Sequence, residues 1–187
     1  MKVLFVNACV REQSRTLLLA RHLLRRLPGQ ACEIKLEELD VQPLTKQSLA
    51  RRDHLLQQGD WGDPSLGYAR QFAAADCIVI AAPYWDLGFP ALLKNYLEAV
   101  TVSGITFCYE DGRPKGLCRA KKLYYITTAG GPIVSDFGYP YVKSLAQNLY
   151  GIEDTTCFRA ENLDMDGADV ASILDDAIEK ITLAPLW

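Results

Sequence analysis

The sequence contains no CxxC pair, no GxGxxG, no GxxxxGK(S/T), no GxSxG, and only two histidines in 187 residues. Each absence removes a class of protein. Six cysteines (Cys9, Cys32, Cys77, Cys108, Cys118, Cys157) stand far apart along the chain. That spacing suits neither a zinc centre nor a small disulfide scaffold, and it points to free thiols in a reducing cytoplasm, although an even count also permits disulfides. Without the two glycine fingerprints, the usual triphosphate loop and the Rossmann dinucleotide turn are excluded. Without GxSxG or any evident Ser–His–Asp arrangement, a hydrolase has little support. Long apolar runs are missing as well. The longest stretch free of charge, Leu123 to Ser135, has 13 residues and is broken by two glycines and a proline, too short to span a membrane. Nor does one sign of charge dominate: 20 Lys and Arg face 23 Asp and Glu, for a net charge of -3. A dedicated nucleic-acid binder would be basic. The opening MKVLFVNACV is cut by Arg11 and Glu12, so it reads as a buried strand and not as a leader peptide.

What is present fits one folded domain over residues 1–187, with 49% apolar and 23% charged residues. Short apolar runs alternate with segments of helical period, the pattern of parallel βαβ units. Val3 to Val6 predicts a first strand, followed by a helix with Leu17, Ala20, Leu24 and Leu27 on one face and Pro28-Gly29 as its stop. Glu33 to Leu39 alternates and predicts a half-buried edge strand. A polar segment, 40–65, carries a short helix around Gln47–Gln57 and is expected to shape the mouth of a site. Leu66, Ala69 and Ala73 mark the next helix, and Cys77 to Ala82 is apolar throughout, as a central strand buried on both faces should be. Pro90 opens a helix bearing Leu93, Leu97 and Val100. Lys122–Thr127, a helix with Val142, Leu145 and Leu149, then Thr155–Phe158 and a last helix with Val170, Ile173, Ala177 and Ile181 complete five strands alternating with five helical segments, besides the short helix of the polar excursion.

In an open α/β sheet, ligands bind beyond the carboxyl ends of the strands, where strand order reverses. Three loops lie at such ends. The first, Asn7 to Thr16, includes Cys9, Arg11, Ser14, Arg15 and Thr16 and leads into a helix start, where unpaired N–H groups and the helix dipole favour an anion. Hydroxyls and arginines there suit a monophosphate. The second, Pro83-Tyr84-Trp85-Asp86-Leu87-Gly88-Phe89-Pro90, offers a flat aromatic wall. The third, Thr127-Thr128-Ala129-Gly130-Gly131, lets a ring approach bare backbone. Taken singly, Ser14 reads as an N-cap, Tyr84 and Trp85 as a lid on the core, and Gly130-Gly131 as a turn. Their company favours a planar heterocycle with a phosphate tail.

The stretch Pro83 to Lys94, together with Gly104-Ile105-Thr106-Phe107 and Thr127 to Gly131, resembles the flavodoxin-like NAD(P)H:quinone reductases and FMN-dependent NADH-azoreductases. The likeness extends over nearly the whole chain, including Ser14-Arg15-Thr16 and Tyr150-Gly151-Ile152. It implies a flavodoxin-like α/β fold with a five-stranded parallel sheet, order 2-1-3-4-5, and helices on both faces. It further implies FMN held by Ser14 and Thr16 at the phosphate, by Pro83 to Leu87 at the ring and by Thr128 to Gly131 along the ring's other edge. NADH or NADPH would donate a hydride through flavin N5 to a quinone, azo or nitroaromatic acceptor, in two successive transfers at one face. The resemblance also implies a homodimer with its sites at the subunit interface.

Two departures stand out. Azoreductase-like members carry Asn-Phe where this chain has Asp86-Leu87. A carboxylate there could accept from flavin N3–H, but its charge disfavours a reduced, anionic ring and so lowers the potential. The Tyr and His of the mammalian-type reductases find no match after Gly131, where Pro132-Ile133-Val134-Ser135 stands. No protein acid is required, because the product can take protons from water, and His22 and His54 lie where a proton relay does not belong. Tyr109 and Tyr139 are the candidates for lining the substrate slot, from this chain or a partner subunit. A thiol nucleophile is disfavoured because no cysteine has a His nearby in sequence; Cys9 reads as a small buried residue. Two other readings stay open: an FMN electron carrier of the flavodoxin kind, and a regulatory protein without flavin.

Overall fold

Two pentapeptides with no outward-facing position set the architecture: Val3–Asn7 (β1) and Cys77–Ala81 (β3) are buried at every residue. A strand with both faces covered needs helices above and below it. The computed structural model, which describes residues 1–186, supplies them. The chain runs β1, α1 (Arg15–Arg26), β2 (Ala31–Lys35), α2 (Lys46–Gln58), α3 (Gly67–Ala74), β3, α4 (Ala91–Val100), β4 (Phe107–Glu110), β5 (Arg113–Gly116), β6 (Lys122–Thr128), α5 (Tyr139–Leu145), β7 (Asp154–Ala160) and α6 (Val170–Leu183). Five strands form one sheet in the order β2-β1-β3-β6-β7, all parallel. Numbered within that sheet alone, this is the expected 2-1-3-4-5. Its direction of winding reverses between β1 and β3, which places the ligand-binding crevice beyond Asn7 and Ala81.

Successive residues of a strand face opposite layers. Val3 and Phe5 pack with Leu19 and Leu23 of α1 and with Ala177 and Ile181 of α6. Leu4 and Val6 pack with Phe72 of α3, Leu93 and Leu97 of α4, and Val142 of α5. On α1 the buried face is Thr16, Leu19, Ala20 and Leu23; of the expected stripe Ala20 and Leu27 are buried, while Leu17 and Leu24 lie half-buried on its flank. A run of three consecutive leucines, 17–19, offers adjacent stripes of equal period, and only docking chooses between them.

Other elements differ from expectation for similar reasons. The edge strand starts at Ala31 and stops at Lys35, because Leu36 and Leu39 both turn inward at a spacing of three, which fits a 3₁₀ turn over Leu36–Glu38. α5 continues into a π-helical turn, Ala146–Tyr150, so that Val142, Ala146 and Tyr150 are the buried positions while Leu145 and Leu149 are half-buried. The antiparallel hairpin β4–β5 has no counterpart in the expected layout. Its turn residues, Asp111 and Gly112, have φ of 51° and 74°, the type I′ geometry that Asp-Gly favours. Gly116, at the end of β5, lies directly on the backbone of Tyr150 and Gly151. α2 has no fully buried residue. The chain after it is anchored by Trp61, whose indole covers Gly104 (φ 84°).

Candidate active site

Beyond the carboxyl ends of β1, β3 and β6 lies a cavity of about 470 Å³, lined by Cys9, Val10, Arg11, Gln13, Ser14, Arg15, Thr16, Pro83, Tyr84, Trp85, Thr128, Ala129, Gly130, Leu163 and Asp164. Eleven of these are positions singled out from the sequence, and all three expected loops contribute. Asp86, Leu87 and Gly131 flank the cavity without lining it.

The first loop is tied down at both ends. Ala8 N–H donates to Ala81 O at 2.9 Å, and Cys9 N–H to Asn7 Oδ1 at 2.9 Å. Ser14 N–H closes a turn onto Arg11 O at 3.1 Å, and the Ser14 hydroxyl then accepts from Leu17 N–H at 3.2 Å as the N-cap of α1. Helix geometry leaves the N–H groups of Arg15 and Thr16 without intrahelical acceptors, so the dipole end and two amide donors are available to an anion. Thr16 is buried, and its hydroxyl meets that of Thr128 at 2.6 Å, stitching the first loop to the third across the cavity floor. Cys9 is buried beside them, and burial pushes its thiol up to about 11. It is therefore protonated at neutral pH and does not act as a nucleophile.

The second loop extends the sheet pairing, with Tyr84 N–H on Thr128 O at 3.0 Å, and then reverses tightly between Trp85 and Gly88. The reversal holds Asp86 and Leu87 at φ of 51° and 65°. Left-handed backbone costs a branched residue such as Leu on the order of 1 kcal/mol, and such outliers gather at ligand clamps. Neighbouring bonds enforce the turn: Phe137 N–H donates to Leu87 O at 2.9 Å, and the Tyr84 hydroxyl donates to Ser135 O at 2.7 Å. The Arg11 guanidinium stands 6.0 Å from the centre of the Trp85 ring, at cation–π range over the aromatic wall.

A fourth loop, after β7, was not anticipated. Ala129 N–H donates to Ala160 O at 2.9 Å, Leu163 N–H to Ala129 O at 3.2 Å, and Asp164 N–H to Gly130 O at 2.8 Å, so residues 160–164 run alongside the third loop. Asp164 forms an ion pair of 2.6 Å with Arg15. The signal was available: β7 is parallel to the other strands, so the polar segment after it had to emerge at the same end of the sheet. A Cβ on Gly130 would displace the Asp164 carboxylate from its present position. A Cβ on Gly131 would meet nothing within 4 Å.

Tyr139 does not reach the cavity. Its ring packs on Tyr125, and its hydroxyl is held by the carbonyl and hydroxyl of Thr155, at 3.1 and 3.0 Å, at the opposite end of β7. Tyr109 lies on the hairpin, 66% exposed and edge-on to Phe107, outside the cavity wall of its own chain. His22 and His54 lie in α1 and α2, away from the cavity. No residue of 40–65 lines it either: the segment packs instead on the turn before β4, through Trp61. Among the described residues, no helix is long and apolar enough to cross a membrane.

Residues 1–183 match the family model described as flavodoxin-like fold. The FMN-dependent NADH:quinone oxidoreductase 2 of Clostridium acetobutylicum is 36% identical, the match spanning 96% of this chain and 95% of that protein. The FMN-dependent NADH:quinone oxidoreductase of Lachnoclostridium phytofermentans is 37% identical over 97% of this chain and 96% of its own length. Among solved structures, an azoreductase from Bacillus anthracis superposes with a TM-score of 0.84 at 23% identity, covering 97% of this chain and 96% of that one. An FMN-dependent NADH-azoreductase from the same species, in complex with FMN, gives 0.80 at 22% identity over 97% and 96%. At those identities the structures speak for the fold, and the sequence relatives for the family. On fold, cavity position and relatedness together, this chain belongs to the flavodoxin-like fold family that includes the FMN-dependent NADH:quinone oxidoreductases.

Proposed function

We propose that this protein is an FMN-dependent NADH:quinone oxidoreductase that also accepts azo and nitroaromatic compounds. The observation that carries this reading is the convergence of an open helix N-terminus, an aromatic wall and a glycine-edged loop on one 470 Å³ cavity, a volume usual for cofactor sites. The residues fit the group. Ser14, Arg15 and Thr16 present hydroxyl, guanidinium and amide donors to a phosphate. Thr16 and Thr128 present hydroxyls to a polyol chain. Pro83, Tyr84 and Trp85 would hold the ring on one side and Thr128 to Gly130 on the other, with Asp86, Leu87 and Gly131 flanking the cavity.

When bound, FMN supplies the chemistry, taking a hydride equivalent from NADH and passing it to the acceptor in a ping-pong cycle. The chain aligns the reactants and sets the electrostatics. Cys9, protonated and buried, stays out of the reaction, and protons for the product come from water. The relatives' names favour NADH as donor. The test is steady-state oxidation of NADH by the FMN-loaded protein with menadione as acceptor. Turnover with parallel lines in double-reciprocal plots supports the reading; a protein that binds FMN yet oxidises no NADH would be a carrier.

Asp86 tunes the potential. It occupies the rim of the slot with its side chain exposed. A single exposed charge close to a redox group is worth on the order of 1 kcal/mol, or tens of millivolts for a two-electron couple. Asp86→Asn is therefore expected to raise the midpoint potential by that amount in a redox titration. No upward shift would end this assignment.

The slot is completed by a second copy of the chain. Leu87, Val134 and Phe137 are 44%, 75% and 67% exposed, on the turn after β3 and on the loop before α5 that bonds to it, apolar surface of the kind that marks an interface. Tyr109, 66% exposed on its hairpin, would then line the slot only from the partner subunit. Sedimentation equilibrium is expected to give twice the mass of the 187-residue chain, and a monomer at micromolar concentration would refute the arrangement.

A further inference from the structure

We propose that Asp164 is a positioning residue for the nucleotide phosphate: it holds the Arg15 guanidinium across the anion pocket so that the free N–H edge of that guanidinium is presented to the phosphate. The proposal rests on the reading of the cavity as an FMN site, and it concerns a residue outside the three loops from which that reading was built.

Arg15 is the first residue of α1 and lines the cavity together with Ser14, Thr16 and Asp164. Its Nη1 donates to Asp164 Oδ1 at 2.6 Å and to Leu163 O at 3.2 Å. These two bonds engage one nitrogen of a planar group that carries five N–H donors in a fixed fork. Fixing Nη1 fixes the plane, and with it the direction of the remaining donors.

Asp164 is itself held by the backbone. Its N–H donates to Gly130 O at 2.8 Å, flanked by Leu163 N–H on Ala129 O and Asn162 N–H on Gly131 O, both at 3.2 Å. Asn162 accepts a φ of 65° to make this turn. The missing side chain of Gly130 makes room for the carboxylate. The clasp therefore joins the loop after β7 to the start of α1 over the phosphate end of the cavity.

Stability does not explain it. The two side chains are 38% and 64% exposed, and ion pairs so exposed contribute little to folding because water and salt screen them. Orientation does explain it. Without Asp164, the Arg15 side chain would sweep through solvent and would have to be ordered anew each time a phosphate bound, at a cost in side-chain entropy. With Asp164, that ordering is done before the ligand arrives.

The test compares FMN with riboflavin, which lacks the phosphate, by quenching of flavin fluorescence on the full-length chain freed of bound flavin. Asp164→Ala is expected to weaken FMN about tenfold, the scale of one charge-assisted hydrogen bond, while riboflavin changes by less than about twofold. Asp164→Asn keeps an acceptor for Nη1 and is expected to recover FMN affinity to within about threefold of wild type. Arg15→Ala should cost at least as much as Asp164→Ala, and the double variant no more than Arg15→Ala alone. Riboflavin affinity doubles as the control for folding. Equal losses for both flavins, or equal losses in Asp164→Ala and Asp164→Asn, would overturn the proposal. So would tighter FMN binding by Asp164→Ala, which would mean that Asp164 competes with the phosphate for Arg15. A wild-type chain that binds neither flavin overturns the cavity reading as well; one that binds FMN normally beside an unaffected Asp164→Ala overturns the proposal alone.

Discussion

Ser14→Asp is expected to fold as well as the wild type and to lose FMN. Ser14 caps α1 by accepting from Leu17 N–H, and Asp is as good an N-cap as Ser, so stability should change by no more than about 0.5 kcal/mol. The same carboxylate would stand in the cavity, where the proposed FMN site would seat its phosphate. Two charges about 4 Å apart at an effective dielectric near 20 repel by about 4 kcal/mol, so affinity for FMN should fall by two to three orders of magnitude. Riboflavin, with no phosphate, should lose about threefold at most. Fluorescence titration of both flavins, beside a thermal melt, checks this. Matching losses for the two flavins would show that the phosphate does not lie at the start of α1.

The second large effect concerns folding. Gly116 ends β5 with its Cα against the backbone of Tyr150 and Gly151, and a Cβ there would overlap the Gly151 nitrogen and the Tyr150 carbonyl. Neither atom can turn aside as a side chain can. The π-helical turn that ends at Tyr150 would have to move, and with it the buried Tyr150 ring packed on Phe72 at 5.0 Å. Gly116→Ala is thus expected to destabilise the chain by about 3 kcal/mol or more, lowering Tm by about 6–12 °C. Gly112→Ala is the informative comparison. It sits at the hairpin tip with φ of 74° and nothing within 4 Å of a Cβ, so only the backbone penalty of about 1 kcal/mol applies. Equal melting temperatures for the two variants would contradict the packing of the hairpin on the core.

Much of this was legible in the residues. Val3 to Val6 and Cys77 to Ala82 are apolar without alternation, which leaves no choice but strands covered on both sides, and helical periods between them make the sheet parallel. The loops at the carboxyl ends of β1, β3 and β6 then follow from topology, and they do converge. What the sequence concealed has physical causes. On α1, consecutive leucines let the docked face shift by a residue or two. Asp111-Gly112 is a strong hairpin signal, but it sits in a region with no long apolar run to attract notice. The turn at Asp86-Leu87 adopts left-handed backbone without glycine, which no propensity would suggest; bonds from residues 84 and 137 impose it. Tyr139 looked available because it follows the third loop, yet α5 lies low along the sheet and its hydroxyl finds Thr155 at the far end of β7. Asp164 belongs to a loop whose importance shows only when β7 is known to emerge beside β6.

The central claim is that three loops at one end of this sheet hold FMN in a position where NADH can reduce it. The most direct measurement is the visible spectrum of the protein, titrated with FMN, cleared of excess and then mixed with NADH without oxygen. The account predicts a stoichiometric flavin absorption that bleaches on adding NADH and returns when a quinone is supplied. A chain that emerges colourless, or a bound flavin that NADH leaves unchanged, would contradict it.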